Sequence, residues 1–180
     1  MIRVAKYALG FLIFFVCILV FYSVLYYFLE IRPIRSIIEE KISQYSPLTE
    51  NYLLMETMAV NEESRRGIAD FVAHSFAVEV TEKEFRSMWH LRGLHWHIWF
   101  RLLYTEKEIF QLWLAMAPYG KGRGIKEASM YHFANIFEKL SCYQIAQLVV
   151  MVRSPSGYKP GSERSEKRIY KRGVANVCKS

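Results

Sequence analysis

A short loop carries glycines and cations at a spacing that could hold a phosphate group. It runs Pro118-Tyr-Gly-Lys-Gly-Arg-Gly, so Lys121 and Arg123 alternate with three glycines. Glycine allows backbone N–H groups to approach an anion closely. The loop matches neither the phosphate-loop nor the dinucleotide-binding signature, because no strand pattern precedes it. The residues therefore predict a flexible basic turn able to contact phosphate.

Two further groups of polar residues are weaker candidates for chemistry. His95 and His97 flank a tryptophan, but helix positions two apart point about 200° away from each other and cannot ligate one ion. That pair indicates a core or interface position, and we predict neither a metal nor a cofactor. Glu62 and Glu63 stand near the end of a predicted helix. Their residue types alone indicate solvated acids.

Positive charge is concentrated near the C-terminus. The 180-residue chain has a formal net charge of +7, and residues 153–180 hold eight basic residues against two acidic ones, a net +6. Such a segment on a membrane protein favours anionic lipid headgroups or a phosphate-bearing ligand. Nucleic acid is not expected as a partner, because no reading motif accompanies the charge. The three cysteines are isolated and predict neither a disulfide framework nor a zinc site.

An uncharged apolar segment lies near the N-terminus. Residues 7–29 carry no charged side chain and are long enough to span the hydrocarbon core of a bilayer. Tyrosines cluster near the second edge of the segment, as in the aromatic belts of membrane helices. The run is too long for a cleaved signal peptide, and no small-x-small cleavage site precedes Arg32. We therefore predict a single-pass anchor over residues 1–30, with the orientation left open by evenly placed flanking cations.

Beyond the anchor, three- and four-residue periodicity predicts helices throughout. A linker over 31–48 holds a short amphipathic helix, a helical domain follows over 49–172, and 173–180 form a basic tail. One helix begins at Thr49 and ends or is interrupted at Gly67, and others cover 81–104, 109–116, 125–133 and 141–152. Capping boxes are predicted at Thr81 and Thr105, an N-cap is predicted at Ser141, and the stripe of aromatic residues on 81–104 is expected to be core.

The order and spacing of motifs over residues 105–160 point to a known family. The matching positions are Ile109, Trp113-Leu114, Tyr119-Gly120-Lys121-Gly122, Gly124-Ile125, Ala128, Tyr131-His132-Phe133, Leu140-Ser141, Ala146, Leu148, Ser154-Pro155-Ser156 and Tyr158-Lys159-Pro160, with Arg164 or Arg168 trailing. In this order they resemble the second half of the peptidoglycan glycosyltransferase domain, glycosyltransferase family 51. That domain occurs in monofunctional transglycosylases and in bifunctional penicillin-binding proteins.

The resemblance implies a fold, a location and partners. The fold would be a mostly α, lysozyme-like glycosyltransferase-type domain, truncated in its first half and preceded by the transmembrane helix. The domain would lie on the outer, periplasmic side of the cytoplasmic (inner) membrane. Its partners would be membrane lipid, a lipid-linked peptidoglycan precursor or glycan, and other cell-envelope proteins. The family polymerises lipid-linked disaccharide units into glycan strands.

The first half of the chain departs from the family pattern. In one register Glu62 takes the place of the family's catalytic Glu, the general base on the acceptor hydroxyl. In another register Phe71 and His74 match the family's F-x-x-H, and Gly67 stands where the Glu belongs. The G-x-S-T-I-x-Q-Q motif is absent, and R-K-x-x-E is reduced to Arg92-Gly93.

Two functions therefore follow from the resemblance. An active enzyme would use Glu62 as the base, with Arg92, Lys121 and Arg123 binding the lipid pyrophosphate. The alternative is a non-catalytic relative that acts as a cell-envelope scaffold or binds a lipid-linked glycan. A third interpretation is a membrane-tethered domain that acts through its basic tail.

Overall fold

The computed structural model describes residues 2–80, 89–120 and 122–179. It is 80% helical, and no strand is present in the described ranges. The prediction of a mostly α fold with an apolar N-terminal helix is therefore confirmed. The predicted capping box at Thr81 lies outside the described residues.

Eight α-helices occur in the described part of the chain. They are α1 (Ile2–Tyr26), α2 (Arg35–Ser43), α3 (Glu50–Val80), α4 (Trp89–Leu103), α5 (Glu106–Met116), α6 (Ile125–Phe133), α7 (Cys142–Val152) and α8 (Glu163–Arg172). Short 3-10 helices cover Arg32–Ile34, Phe137–Lys139 and Val174–Lys179. The chain forms two compact units, residues 1–38 and residues 39–180.

The first unit is dominated by one long helical segment. A π-helical turn, Tyr27–Ile31, and the 3-10 turn at Arg32–Ile34 continue α1 toward α2. Pro33 is accommodated because it stands in the first turn of the 3-10 helix, where its missing N–H costs no hydrogen bond. The helical segment Leu9–Ser43 is long and apolar enough to cross a membrane. It has the properties of a membrane anchor or of a signal sequence.

The core of the second unit is built around α3. An aromatic cluster joins α3 to α4, with ring centroids 5.7 Å apart for Phe76 and Trp96 and 5.2 Å apart for Phe76 and Phe100. Trp96 and Phe100 are both buried, as predicted for the aromatic stripe. Gly93 permits this packing, because a Cβ added there would lie 2.9 Å from Nε2 of His74. The two helices thus approach through a glycine on α4.

Local capping signals position the later helices. Thr105 Oγ1 accepts from the Glu108 amide at 3.3 Å, and the Glu108 carboxylate accepts from the Thr105 amide at 2.7 Å. Ser141 and Gln144 form the same reciprocal pair at the start of α7. Both predicted N-termini are therefore confirmed. Ser162 starts α8 by accepting from the Ser165 amide at 3.3 Å.

Helix α3 is broken at Ser64 rather than at Gly67. Ser64 has φ 66° and ψ 159°, a conformation that interrupts the helix. Its Oγ accepts from the Gly67 amide at 3.2 Å, so Ser64 acts as the N-cap of the second half of α3. Gly67 lies within that second half, so the predicted interruption at Gly67 is three residues too far toward the C-terminus. A positive φ at a non-glycine residue costs about 1–3 kcal/mol and often marks a functional site.

The C-terminal residues fold back onto α7. Gly173 takes a left-handed conformation, φ 63°, that ends α8 and turns the chain. Val174 is then buried, and Cys178 forms a disulfide with Cys142 at the start of α7. The prediction of isolated thiols was wrong for these two cysteines. Their 36-residue separation has no local sequence signature, because the turn at Gly173 is what brings them together.

Reduction of this disulfide is expected to lower the stability of the second unit by about 2–4 kcal/mol, because the crosslink restricts the unfolded chain. The measurement is unfolding of the full chain in non-ionic detergent, with and without reductant. Cys142→Ser should reproduce the loss. Cys17→Ser is the matched control, since Cys17 is a free cysteine in α1. An unchanged unfolding midpoint after verified reduction would contradict this expectation.

Tyr45, after α2, ties the linker to α6. Its hydroxyl is hydrogen-bonded by the backbone of Ile125 and Lys126, and its carbonyl accepts from Gln111 Nε2 at 2.9 Å. Burial raises the pKa of Tyr45 from 10.0 to about 12, although the two backbone hydrogen bonds partly oppose this. The side chain therefore supplies an acceptor to the first turn of α6, whose N-cap, Gly124, has none.

Tyr45→Phe is expected to cost about 1 kcal/mol near pH 8, because backbone donors of α6 lose their acceptor. Folding favours the neutral phenol of Tyr45. Its contribution to the free energy of unfolding is therefore full below pH 10 and is lost as the pH rises toward 12. The variant should therefore lose less stability than the wild type across that interval. Tyr170→Phe is the control, since Tyr170 is 90% exposed. Identical pH profiles for wild type and Tyr45→Phe would refute the assignment.

Candidate functional site

Glu62 is buried in the last turn before the break in α3. Its side chain is 0% exposed, whereas the sequence indicated a solvated acid, so that interpretation was wrong. Arg168 donates two hydrogen bonds to Oε1, through Nε at 2.6 Å and through Nη2. Nε of Arg172 lies 3.9 Å from Oε2. Oε2 has no hydrogen-bond partner among the described residues. The carboxylate is thus the counter-ion of two arginines on α8.

Arg168 is held from both sides. Its side chain is 16% exposed, and its guanidinium lies over the ring of Tyr158, 5.1 Å from the centroid. Nη1 also donates to the Tyr158 hydroxyl at 3.4 Å. Burial alone would lower the pKa of Arg168, but the hydrogen bond and charge of Glu62 outweigh burial and raise that pKa above its ordinary value. Arg168 is therefore a permanently charged and positioned cation.

Glu63 is directed to a different arginine. Arg153, at the end of α7, lies 3.3 Å from Glu63 Oε1, with the two side chains 52% and 25% exposed. The two acidic residues before Ser64 thus contact different elements. Glu62 pairs with α8, and Glu63 pairs with the end of α7. The break at Ser64 follows this pair directly, so the strained backbone and both carboxylates belong to one local structure.

A basic cavity of about 490 Å³ lies beside the ion pair. One wall is a face of α8, where cations repeat at three- and four-residue steps, and the other wall comes from the loop at Ser154, Gly157 and Tyr158. The α8 residues are Arg164, Lys167, Arg168, Lys171 and Arg172. None of the described lining residues is acidic. Five cations converge on a space that can hold one or two phosphate groups.

A second cavity, of about 590 Å³, lies beside the glycine loop. It is lined by Gly120, Tyr131, His132, Met151, Pro155, Ser156, Lys159 and Pro160. His132 Nε2 donates to the Tyr119 carbonyl at 2.8 Å, which fixes the ring against the loop. The loop itself turns through positive φ at three glycines, 120, 122 and 124. The segment 154–160 contributes residues to both cavities.

The predicted pyrophosphate-binding residues do not line the basic cavity as far as the structure describes them. Arg92 lies on α4 and is half-buried. Arg123 is exposed in the glycine loop, where it forms an isolated antiparallel β-bridge with Pro118. Lys121 is outside the described residues. Their role, like that of Glu62 as a base, stays a prediction.

Sequence reasoning missed the residues that surround Glu62. Tyr158 and Arg168 were matched to the family only as parts of motifs, and Arg172 was counted only within the net charge of residues 153–180. The repeat of cations at 164, 168 and 172 was a usable signal, because four-residue spacing places them on one helix face. The partner carboxylate, 106 residues away, had no such signal.

Comparison with known proteins identifies the family. A model of the family described as Transglycosylase matches residues 78–177. The chain is also 29% identical over 147 residues to the uncharacterized protein YfeL of Salmonella typhimurium (strain LT2), covering 78% of this chain and 77% of that protein. No solved structure matches. The family match begins after Glu62 and includes the whole of α8. Because it covers more than half of the 180 residues, the chain belongs to the transglycosylase family.

Proposed function

We propose that this protein is a membrane-anchored transglycosylase-family member that binds a lipid-linked peptidoglycan precursor or glycan without polymerising it. Membership of the family supports a ligand of this class, at the level of lipid-linked glycans. The basic cavity supports an anionic group in that ligand. The environment of Glu62 supports a protein that does not polymerise this ligand.

A general base has to reach the hydroxyl that it deprotonates, at about 2.6–3.2 Å or through one water. The Glu62 carboxylate is 0% exposed, and one of its oxygens already accepts two N–H groups from Arg168. An acceptor sugar could reach it only after α8 moved away. Leaving this carboxylate unpaired in the interior costs several kcal/mol, so the pair opposes such a movement.

A catalytic protein is the second candidate, and one observation favours it. Glu62 Oε2 has no hydrogen-bond partner among the described residues, so one oxygen has capacity to accept a proton. The strained backbone at Ser64 lies two residues away. In this alternative Glu62 is the base for the acceptor hydroxyl, and movement of α8 opens it to the substrate.

The proposed location is the outer face of the cytoplasmic membrane. The apolar helical segment Leu9–Ser43 would remain as the anchor. A disulfide between Cys142 and Cys178 supports an oxidising, extracytoplasmic compartment for the domain. A protein that binds a lipid-linked glycan would meet its ligand at that surface.

The full chain, reconstituted in vesicles with lipid-linked disaccharide precursor, is expected to bind precursor and to form no glycan polymer even at high protein concentration. Glu62→Gln should leave that result unchanged. Glu63→Gln is the matched control, because it removes the adjacent, partly exposed carboxylate. Polymer formed by the wild type, abolished by Glu62→Gln and retained by Glu63→Gln, would establish the catalytic alternative instead.

A topology experiment tests the anchor. Alkaline phosphatase fused after Ser180 is expected to be active in cells, and intact-mass analysis should recover a chain that still contains residues 7–29. The corresponding fluorescent-protein fusion, which requires the cytoplasm, serves as the opposite control. An active phosphatase with the N-terminal segment removed would mean a signal sequence, and an inactive phosphatase would mean a cytoplasmic domain.

A further inference from the structure

We propose that the second cavity, beside the glycine loop, binds an extended peptide segment of another protein. An apolar side chain of that segment enters the cavity, and a carboxylate of the segment pairs with Lys159. The inference goes beyond the proposed function, because it assigns a protein partner to a different cavity. It stands whether or not a lipid-linked precursor binds to the domain.

The lining of this cavity has a different chemistry from that of the basic cavity. No described residue lines both cavities. Lys159 is the only lysine or arginine among the described residues that line the second one, and none of them is acidic. Its apolar and aromatic surface comes from Tyr131, Met151, Pro155 and Pro160. One cation in a mainly apolar lining matches a ligand that has apolar groups and a single carboxylate.

The polar groups of the lining favour a peptide over a sugar. A sugar ring presents several hydroxyl groups, which need several side-chain donors and acceptors to replace water. The described lining has no carboxylate and no carboxamide side chain, and its hydroxyls are those of Tyr131 and Ser156. His132 already donates to the Tyr119 carbonyl through Nε2. A volume of about 590 Å³ is ample for one or two apolar side chains of a peptide.

One wall of the cavity is an aromatic pair at the end of α6. The rings of Tyr131 and His132 meet edge to face, with their centroids 4.7 Å apart and an angle of 83° between their planes. The bond from His132 to the Tyr119 carbonyl fixes this pair against the glycine loop. Tyr131 is still 55% exposed. A positioned and exposed tyrosine is typical of the residues that dominate protein–protein interfaces.

The segment after α7 supplies a second, ordered wall. The amides of Gly157 and Tyr158 both donate to the Ser154 carbonyl at 2.9 Å. Pro155 and Pro160 have fixed φ angles, so this wall has little backbone freedom to lose when a peptide binds. Both walls are therefore formed before the partner arrives.

The surroundings of the cavity add to the same preference. Met130 is 52% exposed and Ile136 is 49% exposed, so α6 and the residues after it present further apolar surface beside Tyr131 in the sequence. Arg123, in the glycine loop, is exposed and has the same charge as Lys159. Charge complementarity thus selects a partner segment that combines apolar residues with Asp or Glu.

Random heptapeptides displayed on phage, selected on the full chain in phosphatidylcholine nanodiscs and counter-selected on empty nanodiscs, test the site. The enriched peptides are expected to combine an apolar residue with Asp or Glu. A synthetic, fluorescent copy of the most enriched peptide then gives the affinity by anisotropy. Tyr131→Ser should weaken this binding roughly tenfold, as truncation of an interface tyrosine often does. Lys159→Glu should weaken it and, in a new selection, replace acidic by basic residues.

Two variants outside the cavity are the matched controls. Tyr170→Ser removes a tyrosine that is 90% exposed, and Lys139→Glu makes the same charge reversal at an exposed position. Both should leave the affinity unchanged, and circular dichroism checks that all four variants fold. The proposal is overturned if no peptide is enriched, if the controls lose as much affinity as the cavity variants, or if Lys159→Glu selects the same acidic peptides.

Chitotetraose, a soluble glycan without a peptide, tests the other class of ligand by calorimetry. No binding of chitotetraose, together with the acidic and apolar peptides, supports the assignment to a protein segment. Binding that is lost in Tyr131→Ser and kept in Tyr170→Ser, or displacement of the selected peptide by chitotetraose, would make the cavity a sugar site and overturn the proposal.

Discussion

A buried ion pair between Glu62 and Arg168 connects the middle of α3 to α8, and the arrangement of the site depends on it. The two residues are 106 positions apart in sequence. Removing one partner of such a pair typically costs about 3–5 kcal/mol, because the other charge is left unpaired in the interior. The pair therefore makes α8 an integral part of the domain. The interruption of α3 at Ser64 occurs where the chain presents Glu62 to α8 and Glu63 to Arg153.

The same pair limits the chemistry open to the chain. The Glu62 carboxylate is enclosed, and its Oε1 is bonded to Arg168 rather than exposed to solvent. A general base needs the opposite arrangement, with an oxygen directed at its substrate. The family match covers residues 78–177 and begins beyond Glu62, so membership of the family does not depend on this carboxylate.

The parts that sequence predicted well are the parts fixed by local rules. The helix over 125–133 and the starts of α5 and α7 follow from capping residues and periodicity within one or two turns, and all are present. The break in α3 was misplaced because Gly67 is the stronger local signal, whereas Ser64 breaks the helix with a side-chain cap. The Glu62–Arg168 and Cys142–Cys178 pairs could not be predicted. Each depends on where separate helices pack, and no motif marks either pair.

The C-terminal segment shows why packing between distant elements, which local sequence rules do not predict, matters for function. Alone, residues 163–172 would be a poor helix, because they are short and crowded with like charges. In the protein, burial of Ile169, the bond to Glu62 and the disulfide beyond Gly173 hold them against α7. A mobile basic tail would attract any anionic surface and would lose conformational entropy on binding. The backbone that carries the α8 cations is already ordered, so an anion that bound there would not have to order it.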